Sequence, residues 1–206
     1  MYYLKLFDED LISFKMDNQF GLVISDVKIL SENKNIFPYR LKENVTAGAV
    51  EEFIKSRIIP KNRAFVQNIL EMYGLSINDR KAIIDISKGL SLTDCYWIVQ
   101  DNTLKFADYN LFDNQFSTVL SLVAFTGYSS KIKGLTTSPE FTTNGMLPKA
   151  WRRINEEIFL FKGSTKSYNF ANTGFEPYVE FLASQVAKKM GVDCVEYNLS
   201  KWKKMI

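Results

Sequence analysis

The chain has 206 residues, 46% of them apolar and including 16 Phe and 10 Tyr, enough to bury a core in one or two domains and too aromatic for a disordered polymer. Its net charge of +3 is too small to point to nucleic acid, and the absence of histidine leaves any acid–base or metal role to other side chains. Cys95 and Cys194 have no metal-ligand spacing and read as buried free thiols; with no basic-then-apolar leader and no membrane-length apolar run, the expectation is a cytoplasmic protein without membrane contact.

Residues 2–7 and 11–16 read as two strands about the acidic turn Asp8-Glu9-Asp10, and 21–30 as a third. Three clustered carboxylates suit a hard cation, but without the glycine and further oxygen ligands of a loop site they read as a hairpin tip, and no structural metal is expected. From Thr46 the period becomes helical. Thr46 caps a helix through Val50, Phe53 and Ile54 that Pro60 ends, Asn62 caps a second through Phe65, Val66, Ile69, Leu70 and Tyr73 that Gly74 closes, and a third covers 77–87. Arg57, Lys61 and Arg63 crowd the join between the first two, as exposed helix-end charges or as a grip for an acidic partner.

Residues 92–99 favour a strand, with a second at 104–106 across Asp101-Asn102. The aromatic segment 109–116 is expected to pack rather than to stack a nucleobase, and 117–125 to form a short helix. Residues 127–145, rich in Ser and Thr, have the composition of a mobile loop.

The stretch 142–191 organises the rest. Thr142-Thr143-Asn144-Gly145 is a turn-rich loop, Ile158-Phe159-Leu160-Phe161 a buried-strand signal ending at Lys162, and Pro177 opens a helix that Gly191 closes. Tyr178, Leu182, Val186 and Met190 repeat every four residues along one side of that helix. Phosphate chains are held by backbone N–H groups of a small-residue loop and by a rigid ammonium, and a helix carboxylate can fix a strand lysine in place. Glu180 is the candidate carboxylate, with Glu176, one turn earlier, as the alternative partner of Lys162. Lys149, Arg152 and Arg153, or Lys201, Lys203 and Lys204, form basic clusters that read as solvated surface before they read as phosphate contacts.

The run Asn144-Gly145-Met146-Leu147-Pro148-Lys149, the strand ending at Lys162, and Glu180 through Ala187-Lys188-Lys189-Met190-Gly191 resemble the nucleotide-binding half of the HipA-like serine/threonine kinases. That family carries a Gly-x-Gln-Pro-Lys segment, a strand lysine and a glutamate eleven residues before the helix-ending glycine; Leu147 stands where the glutamine is usual. Gly89-Leu90-Ser91-Leu92-Thr93-Asp94-Cys95-Tyr96-Trp97-Ile98 and Asn110-Leu111-Phe112-Asp113-Asn114 look like the amino-terminal region of HipA-like proteins from Gram-positive bacteria and their mobile elements.

The resemblance implies an α+β fold with an amino-terminal subdomain over 1–126 and a kinase-small-lobe-like half over 127–206. It implies nucleotide contacts at Lys162, Glu180, Lys149, Asn144 and Gly145, ATP with magnesium as a weakly held cofactor, and phosphorylation of Ser138, Thr142 or Thr143 in the loop, against a plain linker. Kinase catalysis needs further aspartates and an asparagine from a large lobe, and no His-Arg-Asp or Asp-Phe-Gly run occurs in the 206 residues. The chain is therefore expected to be inactive alone and to act with another protein chain carrying a kinase large lobe. The alternative is a non-enzymatic, antitoxin-like inhibitor that docks on a kinase toxin or a host defence protein. Residues 192 and 195–197 suggest one more strand.

Overall fold

A computed structural model describes residues 1–19, 21–128, 137–165 and 174–201. The fold is α+β. Strands β1 (Tyr2–Leu6), β2 (Glu9–Asp17), β3 (Val23–Ile29) and β4 (Tyr96–Val99) form an antiparallel sheet in the order β3-β2-β1-β4. A separate antiparallel hairpin pairs β5 (Lys149–Ile154) with β6 (Glu157–Lys162).

One face of the large sheet is covered by helices and the other is covered over β1 and β4, while the edge strand β3 leaves Val23, Ser25 and Ile29 exposed; strand alternation shows how. Tyr2, Leu4, Phe14 and Ile98 turn towards helices α1 (Ala47–Lys55), α2 (Val66–Glu71), α3 (Arg80–Ser87) and α4 (Thr118–Thr126), which supply Val50, Ile54, Ile69, Ile83 and Leu120 to the main core. Trp97 and Val99, flanking Ile98, turn the other way into a second cluster with Leu90, Phe106, Leu111 and Phe116. Tyr3 joins that cluster from β1, and Trp151 and Ile158 join it from the hairpin. The aromatic segment 109–116 therefore packs, and the β5–β6 hairpin adds Trp151 and Ile158 to that cluster while β5 also lies against α4, whose Ser121 hydroxyl donates to the Trp151 carbonyl at 2.8 Å.

Local chemistry sets the element ends. Thr46 Oγ1 accepts the Ala49 N–H at 3.3 Å and Ser117 Oγ accepts that of Leu120 at 3.2 Å, the N-caps of α1 and α4. At the end of α4, Gly127 has φ +74, and a Cβ there would meet the Phe65 ring at 2.5 Å, so only glycine fits. Phe65 itself, in the left-handed region at φ 59, precedes α2 in place of the expected Asn62 cap.

The acidic tip spends its carboxylates in three directions. Asp8 accepts the Phe106 N–H at 2.8 Å, Glu9 accepts from Ser31 at 2.8 Å, and Asp10 pairs with the buried Lys5 at 2.8 Å. The Asp8 bond, with Asp101 turning Thr103 back on itself, diverts the chain into a turn and then the 3-10 element Phe106–Asp108, so the strand expected at 104–106 does not form.

Further differences are tertiary in origin. Arg57 and Arg63 are not helix-end surface charges but are buried, Arg57 against Asp94 at 2.5 Å and Arg63 against Glu140. Residues 137–145 form no mobile loop. They make a 3-10 turn, Pro139–Phe141, whose Phe141 is fully buried in the main core against Tyr73, with ring centroids 5.3 Å apart. Residues 192–199 run without a strand, and their exposed Cys194 and the half-buried Cys95 are free thiols, neither sequestered in the core as expected. Lys203 and Lys204, and the loop residues Ser129, Ser130 and Thr136, lie outside the described residues. Among the described residues no helix is long and apolar enough to cross a membrane.

Candidate functional site

The hairpin register places Lys149 directly opposite Lys162, at the end of β5–β6. Their side chains share a face with the cross-strand pair Trp151 and Leu160. Like charges directly opposed on a sheet destabilise it unless counter-charge is supplied, and the two lysines are treated differently. Lys162 Nζ donates to Glu180 Oε2 at 2.7 Å and to the Tyr197 hydroxyl at 2.9 Å, and lies 4.9 Å from the centre of the Tyr197 ring. Partial burial opposes its charge, but the bonds from Glu180 and Tyr197 outweigh it and hold the ammonium above the usual lysine range. Lys149 Nζ meets only a neutral acceptor among the described residues, the Asn144 carbonyl at 2.8 Å. Burial, then the neighbouring charges of Lys162 and Arg63, push it below that range.

Glu180 reaches Lys162 from helix α5 (Glu176–Lys189), whose first turn carries Pro177. Glu176, in the first turn, accepts the N–H groups of Gly174 at 3.0 Å and Thr165 at 3.3 Å and so ties the segments before the helix together, and Glu180 is the partner of Lys162. Tyr197 comes from the irregular segment after the helix.

The loop is shaped around Lys149. Gly145 has φ +94, and a Cβ there would lie 1.9 Å from Lys149 Nζ. Its close approach to the ammonium thus needs glycine on both counts. The amides of Asn144, Gly145 and Met146 donate to no acceptor among the described residues. Two ammonium groups beside N–H groups without an acceptor make a site of the right chemistry for a phosphate chain. Among the described residues no three His, Cys, Asp or Glu side chains converge as a metal site requires.

The expected modification sites are placed otherwise. Ser138 is buried, with no hydrogen-bond partner for its hydroxyl. Thr142 Oγ1 donates to the Leu90 carbonyl at 2.8 Å; Thr143 Oγ1 donates to the Pro139 carbonyl at 2.6 Å and accepts the Trp151 indole N–H at 2.8 Å. The two threonine hydroxyls thus tie the loop to its surroundings, and Ser138 and Thr142 are buried while Thr143 is half-buried. The basic patch of Lys149, Arg152 and Arg153 also divides. Arg153 donates to the carbonyls of Leu111, Phe112 and Asn114 and lies over the Phe116 ring, tying the hairpin to the aromatic segment, while Arg152 turns to the opposite face over Phe161.

Set against family models, curated proteins and solved structures, the chain has no significant match. The site rests on its own geometry.

Sequence reasoning overlooked Glu140, read Tyr197 only as part of a strand, and read Arg63 as a helix-end charge or a grip for an acidic partner. Arg63 Nη2 donates to Glu140 Oε2 at 2.7 Å and to the Lys149 carbonyl at 3.0 Å, and Glu140 Oε1 accepts the Trp151 N–H at 2.8 Å. No local signal marks a pair 77 residues apart. On the other side of the loop a cleft of about 560 Å³ opens between the hairpin and the first sheet's helices, lined by Arg57, Asp94, Tyr96, Asn144 and Trp151; neither Lys149 nor Lys162 faces it.

Proposed function

We propose that this chain is the small-lobe half of a HipA-like serine/threonine kinase, holding the phosphates of ATP with magnesium and acting with a second polypeptide that supplies the catalytic carboxylates. The observation that carries the reading is the 2.7 Å Lys162–Glu180 pair with Lys149 opposite it on the next strand. In such a site Glu180 holds the Lys162 ammonium in one direction, Lys162 contacts the phosphates, and the Asn144–Gly145 loop covers them with its N–H groups beside Lys149. Positioning and charge compensation are the whole of this half's share. The acids that receive the hydroxyl proton and bind the metal belong to the other half.

A second feature supports a partner. Helix α5 turns Glu180 and the buried Ser184 inward and presents Phe175, Tyr178, Val179, Leu182, Val186 and Met190 to solvent, each at least half exposed. A contiguous apolar arc of this kind marks a surface that another chain covers.

The test is purification of the tagged protein from its native cell, followed by phosphorylation assays on what accompanies it. The reading expects a chain with a kinase large lobe and ATP-dependent phosphorylation that Lys162→Met abolishes. ATP-dependent phosphorylation by this chain alone, lost on Lys162→Ala, overturns the dependence on a partner. The apolar arc also favours a second reading, an antitoxin-like inhibitor whose helix docks on a kinase toxin or defence protein. That reading is selected instead if Lys162→Met leaves partner binding and inhibition intact.

A further inference from the structure

Arg63 and Glu140 are ion-paired with both side chains fully buried. A pair taken wholly out of water carries a desolvation penalty that apolar residues of the same volume avoid, and burial pushes the Glu140 carboxyl up against the opposing pull of Arg63 and the Trp151 N–H. The remaining bonds of the pair converge on one segment. Arg63 donates to the carbonyls of Glu140, Thr143 and Lys149; Glu140 accepts from the Trp151 amide; the next residue, Ala64, donates to the Met146 carbonyl at 2.8 Å. These anchors lie on both sides of the Asn144–Gly145 turn, and include the carbonyl of Lys149 itself. A rigid planar fork reaching several carbonyls at once is a task for arginine, not lysine.

We infer that Arg63 and Glu140 are positioning residues: a buried clamp through which the turn between α1 and α2 sets the shape of the phosphate loop and so the affinity of the Lys149–Lys162 site. The inference rests on the phosphate-binding reading of that site. Neither residue touches the ligand. Both act by fixing the backbone that carries Gly145 and Lys149, Arg63 from the first half of the sequence and Glu140 from just before the loop.

The variant that separates positioning from stability is the double Arg63→Met/Glu140→Leu, which removes both charges and keeps the volume, so neither partner is left buried alone. Arg63→Lys is the second variant, keeping the charge and losing the fork. On each, urea unfolding, amide exchange at Ala64, Phe141 and Thr142, and MgATP affinity are measured. The clamp predicts a double variant that stays folded with an unfolding midpoint near that of the natural protein, exchange at Ala64 and Thr142 faster by about tenfold or more, and MgATP affinity weaker by about tenfold or more. Arg63→Lys gives the same changes in smaller measure. Natural exchange at those amides overturns the clamp, as does natural MgATP affinity in a variant whose loop exchange has risen. If the natural protein itself does not bind MgATP, the phosphate reading falls and the inference falls with it; if it binds and the variants bind equally, only the clamp is lost.

Discussion

Two lysines facing each other across a hairpin do opposite things in this protein. Lys162 is charge-compensated by Glu180, whereas Lys149 faces a carbonyl and a glycine. Because Lys162 is held above the ordinary value of 10.5, the stability it contributes is fully present below that value and is lost as pH rises through the higher folded value. The difference in urea stability between the natural protein and Lys162→Met should stay constant from neutral pH to 10.5 and shrink above it. Gly145 makes a second residue-level prediction. Gly145→Ala meets both a left-handed backbone and the Lys149 ammonium at 1.9 Å. The lysine tip can swing away, so the chain should fold, about 1–2 kcal/mol less stable, with the Asn144 contact broken and MgATP binding weakened; urea unfolding with a parallel titration checks it.

At the scale of elements, α5 is the most instructive. The spacing of Tyr178, Leu182, Val186 and Met190 identifies residues that share a side, and they do. The period does not say whether that side is covered within the chain. Here Glu180 reaches the hairpin at Lys162, Ser184 is buried against the chain that follows the helix at Cys194, and the apolar stripe faces out. Pro177 and the loop–strand–helix order were readable because capping and turn chemistry are local. The Arg63–Glu140 pair was not, because each residue alone looks like a surface charge and only the fold brings them together. The strand expected at 104–106 failed for a similar reason: Asp8, on a distant hairpin, captures the Phe106 amide. Leu182 is 63% exposed, so Leu182→Glu should change monomer stability by no more than about 0.5 kcal/mol. On the partner reading it should weaken association by about 2 kcal/mol or more. Urea unfolding alongside co-purification with the partner distinguishes the two effects.

For the molecule as a whole, the large sheet separates the two jobs. One face carries the helical core, and the other carries the aromatic cluster on which the β5–β6 hairpin rests through Trp151 and Ile158. The α+β class and the strand–helix order were readable from periodicity. That β4 is buried on both faces was not, because Tyr96-Trp97-Ile98-Val99 reads simply as an apolar run until Ile98 and its neighbours are seen to part to opposite sides. The site lies at the hairpin end where the loop, β5, β6 and α5 meet, with one apolar helix face open beside it. Titration of MgATP into the isotope-labelled protein, followed by NMR, tests this account most directly. Half a two-lobed site should bind with a dissociation constant on the order of 1 mM, shifting the amides of Asn144, Gly145 and Lys162, and Lys162→Met should remove the response. Unmoved Asn144, Gly145 and Lys162 amides at saturating MgATP, or the same shifts in Lys162→Met, would contradict it.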